Sequence, residues 1–588
     1  MNCRYIILLG KRLHRNTDYA LQLDRSLRTE GMICKFRSAS ATVFASADVP
    51  SLAIPGHGLL IGQLFTKDGQ PISERLDIDG SACELTRHLL QNTWGIYLAI
   101  LIDHGDNATI TLLRDPSGAM PCVYSLVDGE GFITSDIGLA VDLGLYRKEV
   151  DWQAIAHGLN FPYLKTGRTA LKRVSELLPG SMLNCQGRDV SVRSAWSPWR
   201  FVERGIRHKD PRVAAEDVRA AVSNVVRALS TGDDRFIVEL SGGLDSSVVA
   251  ICLRDALPRA VFCTLVMSLA GTDERTYAQL VTEVLGQELF PVEVGFDNIH
   301  LEFPVPRSSV LPAIGMLQHV INGAWEAAGN RYGVDGFFSG AGGDTVFCYL
   351  RTATPAADAF RERGFVAGIA AIGNLATLHR CTVFKAGRLT LKKVLRRPRV
   401  TWKEDRTLLN PACTATTPEH HPWMDAPSGA LPGDHEKIHD LIGNQLFGDA
   451  GPRGLERSIH FPLLSQPVME ACLKVPTWMW IAEGRNRAVT RQAFADQLPR
   501  GILDRHSKGS YTGHMAGAYT RNKLKIREFL EEGQLCAHDL LDRPALTNFF
   551  ARDLTSRDLS FLRIFDLCAA ENWTRQQGHN PSWVPTPK

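Results

Sequence analysis

The chain has 588 residues, 44% of them apolar and 22% charged, so it is an ordinary globular composition long enough to bury more than one core. Its 66 basic and 63 acidic side chains nearly cancel, to a formal charge of +3. No global charge excess draws it to nucleic acid or to a membrane, and any polyanion site must be local. The 13 cysteines are scattered from Cys3 to Cys568, with no CxxC pair and no Cys/His cluster at zinc-ligand spacing. Residues 5–10 are too short for a signal sequence, and no run of about 18 apolar residues occurs, so a reduced, cytoplasmic protein is expected.

Up to about residue 140, short apolar runs at 5–9, 59–64, 96–102, 110–113 and 122–126 alternate with Gly and Asp turns. That is the rhythm of an antiparallel sheet region with few helices. Residues 145–200 form a bridge with a turn at Leu178-Pro179-Gly180-Ser181 and a Trp196/Trp199 pair. From about residue 211 the period changes. Val218, Val222, Val225, Val226 and Leu229 recur at helical spacing, and a Thr231-Gly-Asp-Asp234 break precedes a strand at 236–240. A helix from Ser246 to about Asp255, a strand ending at Met267, a helix at 274–285 and a strand at 289–294 follow. This βαβαβ succession predicts a parallel sheet with its ligand at the carboxyl ends of the strands.

Residues 355–450 read as an insertion. It opens with an Ala/Gly-rich helical stretch and passes through Lys385 to Arg406, with nine Lys/Arg against Glu404 and Asp405. It then enters a loop holding Pro411, Pro418, Pro422, Pro427 and Pro432, parts of which are expected to order only with a partner.

The chemistry gathers in Ser241-Gly-Gly-Leu-Asp245-Ser-Ser247, directly after the 236–240 strand. Gly242 and Gly243 allow a tight turn that presents N–H groups, the hydroxyls of Ser241, Ser246 and Ser247 add donors, and a helix N-terminus points at the same place. The result is an anion hole suited to pyrophosphate. It lacks the lysine and the longer spacing of a Walker A loop, which argues against γ-phosphate transfer. Asp245 would repel phosphate unless it holds a cation, and Mg2+ shared with phosphate oxygens resolves the conflict. The plainer alternative is a Gly/Ser turn that caps a helix. A second element, Phe337-Phe-Ser-Gly340-Ala-Gly-Gly-Asp344, offers the second carboxylate that an octahedral Mg2+ site tends to use.

These residues resemble the class B asparagine synthetase family, which also contains β-lactam synthetases and the macrolactam-forming lasso peptide cyclases. The 241–247 loop looks like its pyrophosphate loop, and residues 340–344 look like its SGEGxDE segment. Asp273-Glu-Arg-Thr-Tyr-Ala-Gln with Leu285-Gly286 is similar to its adenine-side helix, and 454–464 to its GVEARVPFLD stretch. Leu498-Pro499 through Arg505-His-Ser-Lys508-Gly509 is similar to its LPxxxxxRxxK element. Upstream, Trp94-Gly-Ile-Tyr-Leu-Ala99, Arg114-Asp115-Pro-Ser-Gly118 with Pro121, and Ser135-Asp136 resemble its glutamine amidotransferase domain.

The resemblance implies an α/β protein. An N-terminal Ntn-hydrolase-like β-rich (αββα) domain with the bridge, residues 1–205, would precede a C-terminal ATP-pyrophosphatase (adenine nucleotide α-hydrolase-like) domain with a parallel sheet, residues 206–588. It implies ATP and Mg2+ as cofactors, with Asp245 and Asp344 holding the metal. Ser241, Gly242, Gly243, Leu244, Ser246, Ser247, Met267 and Gly340 would make the ATP- and pyrophosphate-binding set. Lys508 would reach the adenylate and the following oxyanion, a donor role worth on the order of a thousandfold in rate; the plainer alternative is a solvated loop lysine. Arg485, Arg487 and Arg491 are further candidates for phosphate, or ordinary exposed arginines on a helix.

Two departures from the family bear on the amine. Glutamine-hydrolysing members begin Met-Cys and expose the cysteine's α-amine, whereas here Met1-Asn2 precede Cys3, so Cys3 is expected to be a buried strand residue and the glutaminase chemistry lost. Ala341 stands where asparagine synthetases have Glu and β-lactam synthetases have Tyr. A peptide α-amine, with a pKa of about 8, needs less help from a base. Both features fit the family's lasso peptide cyclases, which the resemblance implies would join a core N-terminal amine to an adenylated Asp or Glu side chain. The expected partners are a precursor peptide, a leader peptidase and a leader-recognition protein, with no nucleic acid and no membrane. The alternatives are an asparagine synthetase or β-lactam synthetase-like ligase acting on a small amino acid, and a non-catalytic peptide-holding chaperone.

Overall fold

The computed structural model describes residues 3–10, 17–103, 109–267, 273–296, 300–396, 402–413, 417–449, 457–505, 512–555 and 558–577. The N-terminal half is built on twelve strands: β1 (Tyr5–Leu9), β2 (Met32–Arg37), β3 (Ala41–Ser46), β4 (Ser51–Ile54), β5 (Gly58–Thr66), β6 (Thr93–Asp103), β7 (Thr109–Arg114), β8 (Val123–Val127), β9 (Glu130–Thr134), β10 (Ser175–Glu176), β11 (Ser181–Gln186) and β12 (Asp189–Ser194). They form two antiparallel sheets, ordered β10-β8-β9-β1-β3-β2 and β12-β11-β7-β6-β5-β4. Alternation decides which side chains meet. Tyr5, Ile7 and Leu9 of β1 pack against Leu98, Ile100 and Leu112 of the other sheet, while Ile6 and Leu8 face outward.

Each outer sheet face is covered by helix. Tyr97, Ala99 and Leu101 receive Leu85 and Leu89 of the Ala82–Asn92 helix, which starts at a reciprocal capping box between Ser81 and Glu84. On the other face, Ile6, Leu8 and Phe44 share a core with Leu23, Leu27, Ile137 and Ile155, and also with Ile526, Leu530 and Ile564 from the C-terminal helices Thr512–Glu531 and Phe561–Gln577. The layering is αββα, and the two halves of the chain share one of its cores.

The C-terminal half centres on a parallel sheet of β13 (Phe236–Glu239), β14 (Ala260–Met267), β15 (Leu289–Val294), β16 (Gly336–Phe338) and β17 (Ser458–His460), ordered β15-β14-β13-β16-β17. The expected helix is Pro211–Ser230, capped by Asp210, and it buries Val218, Val222, Val225, Val226 and Leu229. The helix after β13 is Leu244–Ile251 and begins two residues earlier than the periodicity suggests, because Gly243 already takes the cap position.

The insertion contains helices Thr354–Arg363, Phe365–Leu378, Val383–Leu395 and Pro432–Asn444. Its Pro-rich stretch, expected to be loose in part, is packed where described. Trp423 is buried, Trp402 Nε1 donates to the Pro162 carbonyl at 2.8 Å, and Leu409 bridges to Leu541. The Trp pair of the bridge ties the halves together: Trp196 Nε1 donates to Glu470 at 2.9 Å and Trp199 Nε1 to the Trp423 carbonyl at 2.8 Å. Among the described residues no helix is long and apolar enough to cross a membrane.

Candidate active site

The loop after β13 turns where only glycine fits. Gly242 has φ +65°, and a Cβ there would lie 2.5 Å from Tyr277 Cβ and 2.6 Å from the Ala278 nitrogen, because the loop is pressed on the Arg275–Leu285 helix. The serines first organise the turn itself. Ser241 and Ser246 hydroxyls are 3.1 Å apart, Ser241 Oγ accepts from the Gly243 N–H at 3.3 Å, and Ser246 Oγ accepts from the Ser241 N–H at 3.2 Å. Ser247 is fully buried and donates to the Gly243 carbonyl at 2.7 Å. Leu244 is a core residue, so its backbone is what it offers a ligand. No side chain caps the helix at Gly243, which leaves the first-turn end open toward the loop. Met267 ends β14, next to β13, with its side chain buried in a cluster that includes Val294 and Phe296.

The second glycine-rich loop, after β16, interlocks with the first. A Cβ on Gly340 would lie 2.6 Å from the Ser246 nitrogen, and one on Gly343 would lie 2.5 Å from Asp245 Cβ and Cγ. This close approach sets Asp245 beside Asp344. Arg487 Nη1 lies 2.9 Å from both carboxylate oxygens of Asp245 and 2.9 Å from Asp344 Oδ1. Side-chain exposure is 13% for Asp245, 12% for Arg487 and 44% for Asp344, so one edge of the pair opens to solvent. A single cationic nitrogen bridging both carboxylates shows that the two can share one cation. Among the described residues no group of three or more His, Cys, Asp or Glu could hold a metal. Two carboxylates, with the remaining ligands left to phosphate and water, are a donor set that fits Mg2+.

Arg487 has φ +53° and starts the Ala488–Ala493 helix, directly after the hairpin Ile481–Ala482/Arg485–Asn486. Its guanidinium lies 5.1 Å from the Tyr349 ring. The other two candidate arginines do different work. Arg485 pairs with Asp504 at 2.6 Å. Arg491 donates to the carbonyls of Asn486, Leu503 and Arg505, and burial together with Arg487 and Arg485 pulls its guanidinium down to about 10. It is thus a brace within the protein, not an exposed helix arginine. Lys508 lies outside the described residues. The described chain before it ends at the site, since Arg505 donates to the Gly242 carbonyl at 2.9 Å, pairs with Glu274 and lies 3.9 Å from the Tyr277 ring.

In the N-terminal half the candidate motif is structural. Arg114 is buried and donates to the carbonyls of Met120, Leu177 and Gly118 and to Glu176. Asp115 accepts from the N–H groups of Ser117 and Gly118, and Asp136 caps its helix through Gly138 while holding Arg4. Cys3, expected inside a strand, lies two residues before the start of β1 and packs partly buried against the inter-sheet core. Burial pushes its thiol up to about 11.

A parallel sheet with two interlocked glycine loops at its carboxyl ends, and a carboxylate pair between them, defines an α/β nucleotide-using enzyme attached to an antiparallel sandwich. The asparagine synthase family model matches residues 217–439 and 453–575, more than half of the chain, and the glutamine amidotransferase domain model matches residues 81–196. The chain belongs to the asparagine synthase family. It is an ATP-dependent, amide-forming ligase that releases AMP and pyrophosphate.

No curated protein gives a significant match. Among solved structures, glutamine phosphoribosylpyrophosphate amidotransferase from B. subtilis complexed with ADP and GMP is 11% identical, covering 53% of this chain and 85% of its own, with a TM-score of 0.20. The allosteric regulatory enzyme of purine biosynthesis is 12% identical, covering 52% and 84%, with a TM-score of 0.19. Likenesses this slight carry no argument.

Proposed function

We propose that this ligase is a lasso peptide cyclase, built on an ATP-pyrophosphatase-type domain. It adenylates an Asp or Glu side chain of a precursor peptide and joins it to the core N-terminal amine. The observation that carries this reading is the state of Cys3. Cys3 packs partly buried against the inter-sheet core and burial raises its thiol to about 11, whereas a glutamine-attacking nucleophile has to be open to its substrate and easily ionised. With no ammonia made in the N-terminal half, an amine carried by the substrate is the favoured nucleophile. Ala341 supports the same conclusion, since it sits partly exposed in the second glycine loop and offers the site only a methyl group.

In this reading the open helix end at Gly243, with the 241–246 turn, grips pyrophosphate as it leaves, and the neighbouring N–H dipoles take up the charge that develops there. Asp245 and Asp344 hold Mg2+, which neutralises phosphate charge when bound. Arg505 is held on the loop at the Gly242 carbonyl, and Lys508 would stabilise the oxyanion formed when the amine attacks. The carboxylate oxygen displaces pyrophosphate from ATP, and the amine then displaces AMP and loses its proton. A leader peptidase and a leader-recognition protein are the proposed partners that deliver the core.

The test is incubation of linear precursor with ATP, Mg2+ and leader peptidase. A product lighter by one water, with one AMP and one pyrophosphate released per ring, is expected. Release of AMP only with ammonia or a small amino acid would overturn the reading.

A further inference from the structure

Two helices of the insertion turn apolar side chains to solvent in a way that core packing does not explain. The Phe365–Leu378 helix has no charged residue. It buries Ile372, Leu375 and Ala376, yet leaves Phe365 71% and Val366 82% exposed. The Val383–Leu395 helix buries Ala386 and Thr390. On its opposite side Phe384, Arg388, Leu391 and Leu395 recur at i, i+4, i+7 and i+11, with Phe384 91% and Leu395 75% exposed. On the second helix these side chains make a strip, and that strip meets the first helix at one end. Arg361 donates to the Val394 and Arg396 carbonyls at the end of the second helix, and the neighbouring Phe360 ring lies 5.9 Å from Phe365. The Leu395 end therefore lies at the Phe365 end.

Charge accompanies the strip. Residues 364–403 contain no Asp or Glu at all. Lys393 turns back to Glu436 at 2.8 Å, whereas among the described residues Lys385, Arg388 and Lys392 have no carboxylate partner. A simply solvated basic helix would not also hold its largest apolar side chains out of the core, and folded monomers seldom leave such area uncovered. A second copy of the chain would bring the same cations against each other. A groove for a polypeptide would half-bury the apolar groups along its walls, but here Val366 and Phe384 are 82% and 91% exposed. An anionic bilayer satisfies both features, with apolar tips below the headgroups and cations at the phosphate level.

We propose that this face seats the protein peripherally on an anionic phospholipid surface, with Phe365, Val366, Phe384 and Leu395 inserted and Lys385, Arg388 and Lys392 at the headgroups. The seat is coupled to the catalytic region. Asn374 donates to the Ile481 carbonyl at 3.5 Å, and Gly484 meets Thr377 so closely that a Cβ would lie 2.4 Å from its Cγ2. The helix thus rests on the hairpin that leads directly into Arg487.

The test is co-sedimentation of the full chain with vesicles of phosphatidylcholine alone and of phosphatidylcholine mixed with phosphatidylglycerol, at low and high salt. Binding to the mixed vesicles only, weakened by salt, is expected. The Lys385→Gln/Arg388→Gln/Lys392→Gln variant should lower the partition coefficient on the order of a hundredfold. Val366→Ser/Phe384→Ser should lower it comparably with an unchanged melting temperature, since neither side chain is in the core. Absence of binding, equal binding to both vesicle types, or a concentration-dependent dimer that Phe384→Ser abolishes would each overturn the proposal.

Discussion

Arg487 stands between two carboxylates that would otherwise repel each other, and its position makes it a competitor for the cation that Asp245 and Asp344 are suited to share. Replacing it with Ala leaves two carboxylates facing each other with less cationic compensation. Because Asp344 is nearly half exposed, solvent screening limits the loss, and Arg487→Ala should cost about 1–2 kcal/mol in ligand-free stability. The same variant should be stabilised more by Mg2+ without nucleotide than the natural protein is, because the competing cation is gone. Thermal melts with and without Mg2+ check both signs, and an equal Mg2+ response in the two proteins would contradict the competition. Asp245 and Asp344 were readable from sequence because each sits in a short glycine-rich run after an apolar strand. Arg487 was readable only as a candidate, since its meeting with residues 242 and 143 positions away depends on how the parallel sheet folds. Arg491 was weighed as a phosphate ligand, but its carbonyl partners Ile502, Leu503 and Arg505 exist only once the Ala488–Ala493 helix has packed on the 500–505 segment.

The carboxylate pair depends on how closely two loop elements can approach, and Gly343 sets that approach. Gly343→Ala would place a Cβ 2.5 Å from Asp245 Cβ and Cγ, near the root of that side chain, so Asp245 has to move. The expected cost is about 1–3 kcal/mol in stability, together with a loss of AMP release larger than the stability change accounts for. Gly323→Ala is the control: it lies in the Met316–Tyr332 helix with nothing within 4 Å of its Cβ, and should gain about 0.5–1 kcal/mol by helix propensity alone. Denaturant unfolding and pyrophosphate release measured on both variants separate the two effects. Strands such as β1 and β15 were legible to the residue because their apolar runs are bounded by Gly or polar turns. The Thr17–Thr29 helix was not, since only Leu23 and Leu27 of its described side chains enter the core and Leu21 is exposed, which blurs the helical period. The Ala82–Asn92 helix carried a readable signal in Ser81-x-x-Glu84, obscured by the strand rhythm on either side.

Across the whole molecule, a buried ion network holds the sandwich to the ligase half. Lys165 lies 2.8 Å from Glu176 and 2.8 Å from Asp449, and Arg114 adds a second cation 2.9 Å from Glu176. Composition gave no hint of it, because the members are separated by up to 335 positions and each is an ordinary charged residue in sequence. Burial pushes the Glu176 carboxyl up, but Lys165 and Arg114 outweigh it and hold the group below its ordinary value. Asp449 goes the other way, raised by burial that Lys165 offsets only in part. A depressed carboxyl contributes stability that is present above the unfolded pKa of about 4.3 and lost as pH falls through the folded one; a raised carboxyl loses stability as pH rises. The two carboxylates of the natural protein act in adjoining windows: Glu176 is level above about pH 4.3 and loses stability below it, whereas Asp449 loses stability as pH rises above about 3.9. Lys165→Met removes the shared cation and leaves both carboxylates with raised folded values. The variant should lose about 3–5 kcal/mol at neutral pH, the cost of breaking a buried pair. It should then recover part of that loss as pH falls and the carboxylates take up protons, so its deficit relative to the natural protein shrinks toward acid. Urea unfolding at a series of pH values measures this directly. A variant whose deficit is the same at every pH would show that Lys165 acts through packing alone.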